Sequence, residues 1–250
     1  MYRGTSSPIS PYLLQSIHMA LEKYLLEIGK LIESNVLEYW LLYLLKNSKS
    51  ASISSVVSSI VLAYPDKTFN IAQILFKTKE FILQDTNRLI SDQGAETLYS
   101  IGKDWGANTN IIYDEERIST CKDEHRSSTL ENLFLKYQFF RNEEVSEEEA
   151  DKRQKELWSI LDTYYNELPI DNNDSTKTWR IYLARMDRRK MNPTTEKTTG
   201  GMLINFNPEL ESDLKEYSEK SIAKTTESMK YTSLKLWADF KFRKDDKAKN

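Results

Sequence analysis

LIESNVLEYWLLYLLKN, residues 31–47, decides the fold class. Leu37, Trp40, Leu41, Leu44 and Leu45 recur at i, i+3, i+4, i+7 and i+8, the apolar stripe of a helix that buries one side. Tyr39, Leu42 and Tyr43 widen the stripe until little but Glu38 is left polar. That breadth predicts an inner helix, touching neighbours on more than one face of a layered helical array.

The sequence on either side repeats the pattern. Upstream, Pro11 opens a helix on which Leu14, Ile17, His18, Leu21 and Leu25 line one face, with Gly29 as its end. The short gap to residue 31 predicts an antiparallel helical hairpin. Downstream, Ile53, Val56, Val57, Ile60, Val61 and Tyr64 keep the helical period with serines on the opposite side, until Pro65 and Asp66 stop it. Residues 69–76 and 80–89 read as two shorter helices. Helix, short turn, helix, repeated without strands, predicts an all-α chain of stacked helical hairpins, α-solenoid-like, although no repeat of fixed period is visible.

Three parts follow: a helical-hairpin array over 1–92, an irregular connection over 93–127, and a second helical part over 128–250 packed on the first. The irregular insertion near residues 92–127 is read from Gly94, Gly102 and Gly106 with the turn chemistry of Asn108, Thr109 and Asn110. Ser128 with Glu131 and Ser146 with Glu149 form capping boxes for two helices. WRIYLARMDRRKM, residues 179–191, reads as one helix with Trp179, Tyr182, Leu183 and Met186 on one face and Arg185, Arg188 and Arg189 on another. A loop over 194–201 and a short extended piece at Leu203, Ile204 and Phe206 come next. Asn207-Pro208-Glu209 then has the residues of a helix start, and the last helices hold Leu214, Tyr217, Leu234, Trp237 and Phe240.

The totals exclude several function classes. With 35 Lys and Arg against 38 Asp and Glu, the net charge of −3 gives no general attraction to nucleic acid. The single cysteine, Cys121, forms no internal disulfide, and no signal sequence opens the chain, so the expectation is a cytoplasmic protein. No apolar run reaches the roughly 18 residues of a membrane helix. Seven glycines leave few places for a phosphate-cradling loop or a nucleophile elbow.

No complete catalytic, metal or phosphate motif is present, and no cofactor is expected. Cys121 and His125 stand four apart, but one cysteine and two histidines fall short of a structural zinc set. An enzyme whose site assembles only in three dimensions, around Cys121, His125 and the stretch from Gly94 to Gly106, is one alternative to a non-catalytic role. Arg185, Arg188 and Arg189 could grip a phosphate or a carboxylate-bearing partner, or simply form a solvated face paired with nearby acids. A nucleic-acid binder using that arginine face is a second alternative, less favoured because the aromatic residues sit at core spacing.

Three phrases carry a resemblance: HMALEKYLLEIGK at 18–30, EYWLLYLLKNSKSASISSVVSSIVLAYPDK at 38–67 and ARMDRRKM at 184–191. In these the chain resembles the helical region downstream of the nucleotide-binding core in large bacterial STAND-type NTPases, including AVAST antiphage defence proteins. The resemblance implies a helical scaffold or sensor segment that meets a protein partner, or neighbouring domains of a larger polypeptide. It also implies ATP hydrolysis elsewhere, because this chain has no GxxxxGK[ST] loop.

Overall fold

Residues 56–62 are buried without a break, so the central helix is α3 (Ala51–Ala63) and not the aromatic run before it. Val56, Val57, Ile60 and Val61 fill apolar space, while Ser58 and Ser59, expected on a polar side, are buried as well. Each serine has a partner: Ser58 Oγ donates to Ser54 O at 3.0 Å, and Ser59 Oγ donates to the Glu22 carboxylate. Small hydroxyl side chains satisfied in this way let neighbouring helices approach α3 closely along its buried stretch.

The computed structural model describes residues 12–104, 119–139, 145–169, 171, 173–198, 201–232, 234, 237–238 and 241. These are mostly helical with one two-stranded sheet, and they divide into two units, Met1–Asn166 and Glu167–Asn250. The division therefore falls at 166/167, with residues 128–166 in the first unit. Among the described residues no helix is long and apolar enough to cross a membrane.

In the first unit α1 (Tyr12–Leu31) and α2 (Ser34–Asn47) both pack on α3. α4 (Phe69–Phe76) joins α2, α3 and α5 (Lys79–Asp104), and α6 (Leu130–Phe139) lies on α3, α4, α5 and α7 (Glu147–Asn166). Phe76 and Phe134 meet with ring centroids 4.7 Å apart, and Tyr137 stands edge-on to Phe69 at 5.1 Å. Tyrosine hydroxyls tie this core to chain turns: Tyr137 donates to Pro65 O at 2.6 Å and Tyr164 to Phe76 O at 2.8 Å.

Three local expectations change. Gly29 does not end α1, which runs on to Leu31; its bare Cα is where the Tyr64 ring lies, and a Cβ there would meet Tyr64 Cε2 at 2.6 Å. The end of α1 is held instead by Lys67, whose Nζ donates to Gly29 O and Ile32 O at 3.0 Å each, a cation on the last carbonyls. Residues 92–104, expected to be irregular, continue α5, and Gly106 with the rest of 105–118 lies outside the described residues. The helix at Ser128 starts later, with Thr129 Oγ1 accepting from Asn132 N at 3.1 Å, whereas Ser146 does accept from Glu149 N at 3.2 Å.

In the second unit α8 (Asp174–Met186) is capped by Asn173, whose side chain accepts from Thr176 N at 2.9 Å. Asp187 ends the helix, and a 3₁₀ turn, Arg188–Lys190, leads into strand β1 (Met191–Thr198), so residues 179–191 are not one helix. β1 pairs antiparallel with β2 (Gly201–Pro208), with Met191 opposite Pro208 and Thr198 opposite Gly201. The extended piece at Leu203, Ile204 and Phe206 is thus one arm of a hairpin. α9 (Ser212–Met229) begins after the strand, not at Asn207, and Arg180 fastens its start to α8 through Glu211 and Asp213.

Candidate functional site

The surface of α2 inverts the expectation set by its sequence. Leu37 and Leu41 are fully buried against the core, but Tyr39, Trp40 and Tyr43 face solvent together with Val36. The three rings form an edge-on ladder, with centroids 5.6 Å apart for Tyr39 and Trp40 and 6.0 Å for Trp40 and Tyr43. Glu38, the polar residue in the stripe, points to the protein instead. Its Oε1 accepts from Asn70 N at 2.9 Å and its Oε2 from Asn70 Nδ2 at 2.8 Å, placing a carboxylate on the first turn of α4, where orphan N–H groups and the helix dipole favour it. The carboxylate holds α2 in place, and the aromatic residues are left outward.

A half-open cleft of about 710 Å³ lies on the other side of α1, between α1, the end of α3 and residues 119–128. Lys23, Glu27, Lys30, Tyr64, Asp123 and His125 are among its walls. Burial, with the Asp123 carboxylate, holds the Tyr64 phenol above its ordinary pKa, so it stays a donor, here to Leu26 O. Below the cleft Glu22 is buried on α1. His125 Nε2 lies 3.7 Å from its Oε1, and Arg126 Nη2 lies 3.7 Å from its Oε2. Signs alternate around the walls, so the cleft has no single charge with which to select an anion or a cation.

The sequence candidates are dispersed. His125 is turned to Glu22 on α1, while Cys121 is half-buried in the helical residues 119–121 that precede it. Among the described residues, no three His, Cys, Asp or Glu side chains gather as metal donors. His18 is buried and shares a 3.2 Å hydrogen bond with Ser52 Oγ, a core histidine as its position on α1 suggests. Arg185 sits in the last turn of α8, its guanidinium 5.6 Å from the Tyr182 ring centroid. Arg188 and Arg189 belong to the 3₁₀ turn, and Arg189 grips the buried Asp187 through Nε at 2.9 Å and Nη2 at 3.0 Å. The three arginines thus occupy two elements instead of one helical face.

A second buried charge cluster holds the first unit together. Arg88 donates to Asp85, to Asp92 at 2.9 Å and to Ser128 O at 2.6 Å, and Asp85 Oδ2 also accepts from Leu130 N at 2.7 Å. An aspartate from α5 therefore caps α6 at long range, a role invisible in local sequence. Comparison with protein-family models and with curated protein sequences returned no match.

Proposed function

We propose that this chain is a non-catalytic helical scaffold or partner-sensing module working in the bacterial cytoplasm, as a segment of, or associated with, a large STAND-type NTPase in antiphage defence. The observation that carries this reading is the outward aromatic ladder of α2: Tyr39, Trp40 and Tyr43, exposed with Val36 beside them. Large aromatic side chains standing together in water are the usual anchors of protein interfaces, where a few of them supply most of the binding energy. The helical pairs of the first unit suit an α-solenoid-like stack whose outer surface meets a protein partner or a neighbouring domain. The phrases at 18–30, 38–67 and 184–191 supply the link to the NTPase class.

The test is a phage challenge of cells carrying the native locus with Trp40→Glu and Tyr43→Glu introduced together. Because both side chains face solvent, the polypeptide should accumulate to its usual level, while protection falls to that of cells lacking the locus. Undiminished protection removes the α2 surface from the account, and a wild-type locus that gives no protection removes the defence role.

A further inference from the structure

α1 carries a second apolar stripe that stays exposed among the described residues. The side buried against α3 holds His18, Glu22, Leu25 and Gly29. On another side, Leu14, Ile17, Leu21, Tyr24, Ile28 and Leu31 follow one another at alternating steps of three and four residues. That is the a/d seam of a coiled coil, sustained over about 25 Å of helix. Leu14 is 47% exposed, Ile17 54%, Tyr24 59% and Leu31 85%, with Leu21 and Ile28 half-buried between them.

The geometry points to a second copy of this chain as the occupant, with the two α1 helices antiparallel about a two-fold axis between Leu21 and Tyr24. The seam itself argues for this. Its spacing reads the same in both directions, and its residues nearly do: Leu, Ile, Leu, Tyr, Ile, Leu. Reversal places Leu14 on the partner's Leu31, Ile17 on the partner's Ile28, and Leu21 on the partner's Tyr24. The outer layers then pair Leu with Leu and Ile with Ile, and the two central layers set the bulky Tyr24 against the smaller Leu21, whereas a parallel pair would stack Tyr24 on its own copy. The contact is isologous and closes as a dimer.

Area and charge agree. At roughly 200 Å² for a fully exposed large side chain, the four exposed fractions amount to roughly 500 Å² per copy. Self-pairing buries about 1,000 Å² in all, the size at which a specific interface begins. On the flank, Lys23 and Glu27 already pair at 3.5 Å, so no block of like charge opposes approach. The dimer is independent of whatever partner α2 meets.

Light scattering of the full chain during gel filtration at about 50 µM, above the micromolar Kd expected of so small an interface, should give twice the 29.3 kDa chain mass. Ile17→Glu with Ile28→Glu should return it to 29.3 kDa with the helical circular dichroism unchanged. Orientation is read by oxidation in a Cys121→Ser background. A mixture of Ile17→Cys and Ile28→Cys chains should cross-link as a heterodimer, with little product from Ile17→Cys alone. A monomer at that concentration, a dimer indifferent to the glutamates, or efficient cross-linking of Ile17→Cys with itself overturns the proposal.

Discussion

Gly29→Ala should destabilise the first unit, although alanine is the better helix former. In an exposed helix interior the change gains about 0.8–1 kcal/mol. Here the new methyl would stand 2.6 Å from Tyr64 Cε2 and 3.0 Å from Cδ2. The ring cannot simply swing away, because its hydroxyl donates to Leu26 O on the same helix. Overpacking of this kind costs about 1–3 kcal/mol, and loss of the tyrosine hydrogen bond a further 0.5–1.5 kcal/mol or so. The balance is a net loss of about 1–3 kcal/mol, read from urea unfolding by circular dichroism at constant m-value. Tyr64→Ala removes the obstacle, and in that background Gly29→Ala should gain close to the full helix-propensity increment. The double-mutant cycle should therefore show a coupling of about 2–4 kcal/mol. If Gly29→Ala stabilises the protein while Tyr64 is intact, the close approach is not what selects glycine here.

Asp85→Ala should cost about 1–3 kcal/mol, since it takes one carboxylate from the buried Arg88, which keeps Asp92 and Ser128 O, and uncaps Leu130 N; Asp85→Asn, which keeps an acceptor, should cost less in the same unfolding assay. Burial depresses the His18 pKa below its usual 6.5, so the native state binds fewer protons there than the unfolded chain and stability falls as pH drops below about 6.5. His18→Gln should flatten the slope of unfolding free energy between about pH 7 and 5.5, and an unchanged slope would place the titration elsewhere. Among the arginines, Arg189→Glu should lower the melting temperature by setting a like charge on buried Asp187. Arg185→Glu and Arg188→Glu should leave melting within about 2 °C and are the variants that test partner capture by this surface; binding unchanged in both would dismiss it.

The helical periods of the sequence located most of the helices, because 3.6-residue spacing is a local property of apolar residues. What that spacing leaves open is which apolar side faces inward. On α1, Leu14 and Ile17 belong to the expected buried face and are exposed, while Glu22 and Gly29 are inside. A carboxylate reads as solvent-facing until the serine, histidine and arginine that surround it are known, and these come from α3 and from residues 125–126. The same blindness affects α2, where Glu38 marked the outer side by polarity but finds Asn70 across the interface. Residues 179–191 depart from a single helix for a different reason. Trp179 to Met186 keeps the helical period, but Asp187 accepts from Arg189 N at 3.0 Å, and that side-chain bond offers the backbone a turn in place of another helical step. Strand β1, with Pro193, Glu196 and Lys197 and every described side chain after Met191 exposed, has no apolar alternation to announce it.

On α1 two apolar sides share one helix, which blurs the surfaces more than the fold. A helix serving one interface has a single apolar stripe and a clear moment. α1 has a side on α3, a charged side on the cleft through Lys23, Glu27 and Lys30, and a third with the three-four seam. The apolar residues of two sides merge into one broad band, from which sequence spacing picks an average direction. Burial separates them. Leu25 and Gly29 go to α3, and Leu14, Ile17, Tyr24 and Leu31 are left to water. α2 divides in the same manner, Leu37 and Leu41 inward and Tyr39, Trp40 and Tyr43 outward. Two successive helices thus each carry exposed apolar side chains beyond those that their packing covers, and both proposed interfaces rest on these. An isolated globular domain gains nothing from such surface and risks aggregation through it.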